Sequence, residues 1–291
     1  MGLKQISSKL FIVFKKRPNT ENSRHAHRAF QTKHFSSSTL ILWLTIVFLF
    51  LPLIVITFYS FNAGKGSRFT GFSLVWYQKL FSHESSELWS ALANSLFIAL
   101  VSALVSTVLG SLAAIGTAWY SFKGKSYIRL VSFLPMVLPE VIVGASSRIF
   151  FSAGHLPFGM LTIALAHITF CLPFVFLIVQ ASVSEFDFSI VEASRDLGAT
   201  ERQTMFRVVI PAVSPGILSG FMMAVTMSLE DYVITFFATG PGATTLPLYV
   251  YSMIRFGVSP VIDALSVALI LATFIIAISL RRFLKAFAAA K

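Results

Sequence analysis

Long runs of apolar residues without charge, separated by short polar connections, make up most of this chain. A helix needs about 20 predominantly apolar residues to cross the hydrocarbon core of a bilayer, and the runs reach or approach that length. The pattern therefore predicts an all-α, polytopic membrane protein with six transmembrane helices. The predicted spans are 40–61, 91–119, 130–151, 161–180, 212–238 and 261–281.

One further uncharged run, 232–254, is not predicted to be a span. Its centre, Thr239–Pro247, reads Thr-Gly-Pro-Gly-Ala-Thr-Thr-Leu-Pro. A backbone so rich in glycine and proline would leave its N–H and C=O groups unpaired if it faced lipid. We therefore expect a loop on the external side, either wholly outside the membrane or partly re-entrant.

Composition excludes a soluble domain. Charged residues make up 12% of the 291 residues and hydrophobic residues 56%, whereas soluble domains carry about 25% charged residues. So few charges could not cover the surface of a soluble protein of this size. The single cysteine, Cys171, rules out an internal disulfide framework and a cysteine-based zinc cluster.

The formal net charge of +11 is explained by membrane topology rather than by nucleic-acid binding. Eighteen lysine and arginine residues fall in the N-terminal segment, the second and fourth connections and the C-terminus, and four fall on the other side. Because basic residues concentrate on the cytoplasmic side of membrane proteins, both termini are predicted to be cytoplasmic. Residues 1–39 are predicted to form a basic cytoplasmic tail, and residues 40–285 the transmembrane domain.

The fourth connection, the 184–211 loop, is charged and carries helix signals. Ser189–Glu192 and Thr200–Gln203 both fit the capping-box pattern, in which two side chains satisfy the first backbone N–H groups of a helix. Gly198 stands where a left-handed helix cap favours a residue without Cβ, and Pro211 is expected to stop or kink the second helix. The loop is predicted to be a helix, a glycine corner and a second helix.

Part of this loop resembles the EAA signature of the permease subunits of ABC importers. That signature reads Glu-Ala-Ala, three residues, Gly, nine residues, Ile, one residue, Leu-Pro, and it precedes the penultimate span, as here. The matching positions are Glu192, Ala193, Ser194, Gly198, Val208, Ile210 and Pro211. The sequence departs from the signature by three small changes: Ser194 replaces alanine, Val208 replaces isoleucine and Ile210 replaces leucine.

Other stretches resemble the second permease subunit of the spermidine/putrescine importers. They are Leu51–Leu53, Tyr59–Asn62, Leu138–Glu140, Ala166–Phe170, Asp231–Thr235, Gly240–Gly242, Leu246–Pro247 and Tyr251–Met253. Related permeases for other solutes carry similar stretches, and Asp263 stands where this family is expected to have asparagine. The resemblance implies the MetI-like type I importer fold, the bacterial inner membrane and polyamine import.

The resemblance also implies partners. Such a permease pairs with a second, homologous permease subunit, two ATP-binding subunits dock on the pair, and an extracytoplasmic binding protein delivers the solute. The chain has no phosphate-binding loop of its own, because its nearest match, Gly124–Ser126, has Trp119 in place of the first glycine. The chain is therefore predicted not to be an enzyme and to hold no cofactor or metal, with ATP and Mg²⁺ used by the partner subunits.

Few ionisable residues lie at membrane depth, and they are the candidates for a solute path. Burying such a charge costs roughly 2.5–3.5 kcal/mol on insertion scales, so these groups are expected to face a cavity or a partner. The candidate path residues are Glu230, Asp231, Glu140 and Tyr232. Carboxylates attract a cationic solute, and an aromatic face binds an ammonium group by cation–π contact.

The acidic pair also has a structural interpretation, which the sequence leaves open. Glu230 and Asp231 can cap a helix break or pair with Arg148 or Arg255. Because adjacent helical residues point about 100° apart, only one of the two carboxylates is expected to face a path. His167, in the middle of a predicted span, is expected to be a hydrogen-bonded packing residue.

A stripe of small residues is assigned to packing rather than to chemistry. Gly110, Ala114 and Ala118 recur every four residues, a spacing that places them on one face of a helix and suits close helix contact in lipid.

Two rival functions remain open at this point. The first keeps the importer class and changes the cargo to an opine, an aminophosphonate, another organic cation or ferric ion. The second is a secondary transporter or channel that needs no ATPase. A membrane-embedded enzyme is disfavoured, since the sequence has no HExxH, no Gly-x-Ser-x-Gly and no Cys/His cluster.

Overall fold

A computed structural model describes residues 37–65, 68–256 and 259–289, and these are mainly helical. The helices are α1 Ser37–Ser60, α2 Val75–Leu80, α3 Ser86–Trp119, α4 Lys125–Val137, α5 Glu140–Ala153, α6 Met160–Ser184, α7 Ser189–Asp196, α8 Glu201–Thr204, α9 Ile210–Glu230, α10 Val233–Ala238, α11 Leu246–Phe256 and α12 Pro260–Ala289. Most of the predicted 1–39 tail lies outside the described residues. Its last three residues belong to α1, which begins at Ser37.

The structure divides between Val55 and Ile56 into two units. The described part of the first unit is the uncharged stretch 37–55 of α1, which contains Pro52. The second unit begins within the last turn and a half of α1 and contains all the other helices described above.

Four of the described helical segments are long and apolar enough to cross a membrane. They are Ser37–Ser60, His83–Trp119, Met160–Ser184 and Glu201–Glu230. A fifth crossing is formed if the bent pair α4 and α5 counts as one span, and the described apolar stretch Pro260–Ile276 of α12 is shorter than these four. The all-α membrane architecture is confirmed, while the count of six spans and the orientation stay predictions.

The predicted third span, 130–151, is not one straight helix. The axes of α4 and α5 differ by 109°, and Leu138, between them, has an extended backbone with ψ 136°. Pro139 causes this break, because the ring of a proline disfavours helical geometry in the preceding residue. Glu140 consequently begins a new helix instead of lying inside one.

The helices near the predicted fifth span, 212–238, do not share its bounds: one helix runs from Glu201 to Glu230, and α10 follows after a break. Pro211 does not stop the helix that begins at Glu201, because a π-helical turn, Met205–Val209, precedes it and the helix then continues to Glu230. Proline removes an N–H and crowds the carbonyl of the preceding turn, and a wider π turn is a common site of such adjustment.

The run 232–254, predicted as a loop outside the membrane or partly re-entrant, contains two short helices. Only Tyr232 and residues 239–245, which make up most of the predicted loop centre, lack helical structure in this run. Gly240 in this loop lies so close to the Phe158 carbonyl that a Cβ would overlap it, and Gly242 has φ +75°. The glycines of this stretch therefore mark a tight turn between two short helices.

Helices α3, α6 and α9 pack against one another and form the main core of the second unit. A Cβ at Gly110 of α3 would lie 2.9 Å from Val175 Cγ1 of α6, and one at Gly220 of α9 would lie 3.2 Å from the same atom. Ala114 is fully buried in this core. The predicted packing role of the small-residue stripe is confirmed at Gly110 and Ala114.

A second, smaller cluster joins α2 to α12. Trp76, Leu80 and Leu88 are buried with Ala264 and Leu265. This cluster holds the start of α12 against α2 and the start of α3 within the second unit.

Candidate functional site

The corner of the 184–211 loop has the predicted glycine cap. The Gly198 N–H donates to the Arg195 carbonyl at 2.8 Å, and the Ala199 N–H donates to the Ser194 carbonyl at 3.1 Å. These two bonds form a Schellman motif at the end of α7. Gly198 has φ +81°, and no heavy atom lies within 4 Å of the position of a Cβ. Backbone conformation, rather than crowding, therefore requires glycine here.

The predicted capping box of the second helix is also confirmed. The Thr200 N–H donates to Gln203 Oε1 at 2.9 Å, and the Gln203 N–H donates to Thr200 Oγ1 at 3.3 Å. Because α8, the π turn and α9 are continuous, this cap begins a helix of 30 residues, Glu201–Glu230, about 45 Å long at 1.5 Å per residue. One continuous helical element thus runs from the corner to the acidic pair.

The predicted capping box at Ser189 is wrong. Asp187, two residues earlier, accepts the Ser189 N–H at 2.9 Å, so Ser189 is the first residue of α7 rather than its cap. This hydrogen bond from the Ser189 backbone, supported by its side chain, holds the pKa of the Asp187 carboxyl below its usual range. An ionised aspartate at a helix N-terminus also interacts favourably with the helix dipole.

A hydrogen bond that the sequence did not predict joins the two helices of the loop. Ser194 Oγ lies 2.9 Å from Thr204 Oγ1, and Ser194 Oγ also donates to the Val191 carbonyl at 2.8 Å. Thr204 is fully buried. The contact holds α7 against α8 on the inner side of the corner.

The outer side of the loop exposes apolar side chains among basic ones. Leu197 is 88% exposed and Phe206 is 61% exposed, while Val208 and Ile210 are half-buried. A shallow groove beside α8 is lined by Thr200, Arg202, Gln203, Phe206 and Arg207. Aromatic residues and arginines together are enriched at protein–protein interfaces, so this surface is suited to bind a partner protein.

Trp119, the last residue of α3, and Tyr120, which follows it, contact both helices of the loop. Tyr120 donates its hydroxyl to Glu201 Oε1 at 2.9 Å, and the Trp119 indole N–H lies 3.4 Å from the same oxygen. The centroid of the Trp119 ring lies 6.2 Å from that of the Phe188 ring and 5.9 Å from the Arg195 guanidinium carbon. The loop is therefore attached to α3 as well as to α9.

At the other end of the long helix, Asp231 caps the break before α10. Its Oδ2 accepts the Thr235 N–H at 2.8 Å and its Oδ1 accepts the Ile234 N–H at 3.2 Å. His167 Nε2 lies 3.1 Å from Oδ2, and Asp231 is only 7% exposed. The capping interpretation of the acidic pair is confirmed for Asp231, as is the hydrogen-bonded packing role of His167.

Glu230 and Tyr232, on either side of Asp231, remain accessible: Glu230 is exposed and Tyr232 is half-buried. The Tyr232 ring lies 4.3 Å from the Tyr251 ring of α11 and 5.9 Å from the Phe236 ring, and both of these partners are exposed. An exposed carboxylate residue thus stands two positions before Tyr232, which belongs to a group of aromatic rings. Tyr251 lies in one of the family-like stretches, but the sequence did not predict it in this group, because the contact joins Tyr232 to α11 across the 239–245 loop.

Glu140 is exposed and lies at the start of α5, which packs against α10. One turn later, a Cβ at Gly144 would lie 2.6 Å from the Phe237 ring. Arg148 donates to the Phe237 carbonyl at 2.9 Å. Among the described residues the Asp231 carboxylate pairs with His167, not with Arg148. The candidate residues Glu140, Glu230 and Tyr232 therefore belong to elements that meet at α10, and their contact with a solute stays a prediction.

Comparison with known proteins places these features in a family. Residues 106–290 match the binding-protein-dependent transport system inner membrane component family. The putrescine transport system permease protein PotI of Escherichia coli (strain K12) is 40% identical over 234 residues, which cover 78% of this chain and 83% of PotI. The spermidine/putrescine transport system permease protein PotC of the same strain is 34% identical over 233 residues, which cover 80% of this chain and 88% of PotC.

A solved structure shares the fold. In the crystal structure of a bacterial ABC transporter involved in the import of the acidic polysaccharide alginate, one chain aligns with a TM-score of 0.68 and 16% identity. The alignment covers 86% of this chain and 99% of the other. At this identity the likeness establishes the type I importer permease fold and leaves the solute undecided.

Proposed function

Because the chain belongs to the family of binding-protein-dependent transport system inner membrane components, we propose that it is the permease subunit of an ATP-driven importer of putrescine and spermidine. The observation that carries this proposal is the 40% identity to a putrescine permease over most of both chains. The chain is accordingly a transport subunit of the inner membrane rather than an enzyme.

The family implies an ATPase and a substrate-binding protein as partners. We propose that the ATPase docks on the outer side of the 184–211 loop, where Leu197 and Phe206 are exposed. In this arrangement the loop faces the cytoplasm, and the motion of the ATPase reaches the membrane through Glu201–Glu230, which is one continuous helix. Gly198 sets the angle between the docked helix α7 and this long helix.

The full assembly that we propose contains a second, homologous permease subunit, two ATP-binding subunits and an extracytoplasmic binding protein. ATP and Mg²⁺ belong to the ATP-binding subunits. The chain described here supplies half of the membrane path and one of the two docking loops.

The cargo class is supported by the chemistry at the end of the long helix. A polyamine carries several ammonium groups on a flexible apolar chain, so it is bound well by carboxylates combined with aromatic faces. Glu230, Tyr232 and Tyr251 provide this combination, and Glu140 adds a second exposed carboxylate near α10. We propose that these four residues contact the solute as it passes.

Reconstitution tests the proposal. The chain is assembled in proteoliposomes with its partner permease, ATPase subunits and binding protein, and the uptake of labelled spermidine and putrescine is measured with ATP and with a non-hydrolysable analogue. We expect uptake only with hydrolysable ATP and only with the ATPase subunits present. Polyamine uptake by the chain alone, without ATP, would show that it is a secondary transporter or channel. ATP-dependent uptake of a different solute in competition assays would refute the polyamine assignment and leave the importer class intact.

A further inference from the structure

We propose that Asp231 acts in transport as a positioning residue: through His167 it connects the end of the long helix Glu201–Glu230 to α6, and it does not contact the solute. This inference rests on the proposed function, since it concerns how the importer uses ATP. It separates the roles of two adjacent carboxylates that the sequence places together.

The hydrogen bonds around His167 form a closed network. Nδ1 lies 2.6 Å from Ser228 Oγ of α9, and Nε2 lies 3.1 Å from Asp231 Oδ2 and 3.0 Å from Thr235 Oγ1. Thr235 Oγ1 in turn donates to Asp231 Oδ2 at 3.0 Å. A neutral imidazole with its proton on Nε2 satisfies these contacts, with the Ser228 hydroxyl donating to Nδ1. The His167 ring of α6 thus contacts Ser228 of α9, Asp231 at the break after α9 and Thr235 of α10.

Burial makes this network strong. His167 is 1% exposed, and Ser228, Asp231 and Thr235 are all buried. Because water cannot replace a lost partner in such a site, removal of one member leaves the others unsatisfied. The Asp231 oxygens are already occupied by protein donors, which leaves little capacity for an ammonium group.

The far end of α10 is also fixed. The Ala238 carbonyl accepts the Thr162 hydroxyl of α6 at 2.8 Å, and the Phe237 carbonyl accepts from Arg148 of α5 at 2.9 Å. Helix α10 is therefore attached to α5 and α6 at its end and to α6 through His167 at its start. Its connection to the long helix runs through Asp231.

These attachments define how motion passes through the second unit. The long helix begins at the corner of the 184–211 loop and ends at Glu230, so a displacement of the loop moves Ser228 and Asp231. Through the network, that displacement reaches His167 and α6, and α10 moves with them. Without the network, the long helix still packs against α6, but its displacement no longer passes through Asp231 and His167 to the start of α10.

The test uses the complete complex with the variants Asp231→Asn, His167→Asn and both together. Thr169→Ala on α6 and Thr226→Ala on α9 serve as matched controls, because their hydroxyls bond only to carbonyls of their own helices and are exposed. Four quantities are measured: KM and Vmax of spermidine uptake, ATP hydrolysed per solute carried, and the response of ATP turnover to the binding protein.

We expect both single variants to lower Vmax by about tenfold or more with KM unchanged, and to raise the ATP used per solute. Asparagine at 231 places an amide group against N–H donors, so it breaks the network as His167→Asn does, and the double variant should be no worse than either single one. A variant that only destabilised the protein would lower uptake and ATP turnover together and leave their ratio unchanged, which would overturn the proposal.

Asp231→Asn raising KM while His167→Asn transports normally would also overturn it, since Asp231 would then contact the solute. The proposal would also be overturned if the loss of Vmax in the double variant equalled the product of the two single-variant losses. If the wild-type complex carries no polyamine, the proposed cargo is wrong, but the positioning role of Asp231 can still be tested. In that case, loss of the ATPase response to the binding protein in both variants supports it, and a normal response in both rejects it.

Discussion

The Ser194 hydroxyl lies 2.9 Å from the Thr204 hydroxyl and joins α7 to α8 across the corner at Gly198. Ser194 stands where the EAA signature has a second alanine, so this chain has a hydrogen bond that the signature residue could not form. Thr204 is fully buried on the inner side of the corner. The glycine cap allows the chain to turn between α7 and α8, and the Ser194–Thr204 contact holds the two helices together at that turn.

Removal of this contact is expected to loosen the corner without unfolding it. Ser194→Ala and Thr204→Val both delete the hydrogen bond between the two hydroxyls, which contributes about 0.5–1.5 kcal/mol in a partly buried site. Ser194→Ala also deletes the bond to the Val191 carbonyl. We expect a lower thermal midpoint of the purified complex in each variant, and a double variant no less stable than the worse single one. Ser184→Ala is the control, because that hydroxyl is exposed and bonds only to Ala181 of its own helix. Fully additive losses would show that the two hydroxyls act independently.

Substitutions at Gly198 should follow backbone preference rather than size. A side chain at φ +81° costs about 1–2 kcal/mol, asparagine tolerates this region better than alanine, and no neighbour blocks a Cβ. We expect uptake to fall in the order glycine, asparagine, alanine. Gly198→Pro should abolish uptake and coupling to the ATPase while the protein stays in the membrane, because proline fixes φ near −65° and lacks the N–H that bonds Arg195.

Uptake and membrane abundance of each Gly198 variant are measured in the same cells. Equal uptake by the alanine and asparagine variants would argue against a conformational role. Transport that survives Gly198→Pro would show that the corner does not transmit force.

A comparison of two glycines on α3 tests the packing of the core. Gly110→Ala places a methyl group 2.9 Å from Val175 Cγ1 and 3.1 Å from the Phe176 backbone nitrogen, so α3 and α6 must separate. Overpacking of this kind costs about 1–3 kcal/mol. Gly116→Ala adds the same group on the same helix with no heavy atom within 4 Å, and alanine favours a helix by about 1 kcal/mol over glycine. We expect a lower thermal midpoint for the first variant and an unchanged or higher one for the second, and the reverse order would contradict this packing.

Local signals in the sequence predicted the loop well where nothing competed with them. The Gly198 cap and the Thr200–Gln203 box depend on residues a few positions apart, and both are present. The Ser189 box failed because Asp187 offers a stronger acceptor two residues earlier. Of the two outcomes expected at Pro211, a stop or a kink, the stop does not occur, because a π turn accommodates the proline. No residue pattern predicts such a turn.

Contacts between distant segments were beyond sequence reasoning. His167 and Asp231 were each noticed, but their pairing depends on the way α9 packs against α6. The contact between the Tyr232 and Tyr251 rings likewise joins a residue before α10 to a residue of α11, across the 239–245 loop. The residues of the candidate site were thus predictable from charge and aromaticity at membrane depth, whereas their division into positioning and accessible groups was not.

The accessible carboxylate should determine affinity for the cargo. Glu230→Gln keeps the size of the side chain and removes its charge, and Glu230 is exposed rather than bound within the His167 network. We expect the KM of spermidine uptake to rise by about tenfold, equivalent to about 1.4 kcal/mol, with Vmax and ATP used per solute little changed.

Ionic strength provides the control for this prediction. If charge attraction is the cause, the difference in KM between wild type and Glu230→Gln should shrink as salt is raised, and the more highly charged spermidine should be affected more than putrescine. An equal effect on both polyamines at every salt concentration would assign Glu230 a structural role. A fall in Vmax with KM unchanged would instead place Glu230 with Asp231 in the transmission of motion, and the solute path would then depend on the aromatic rings of Tyr232 and Tyr251.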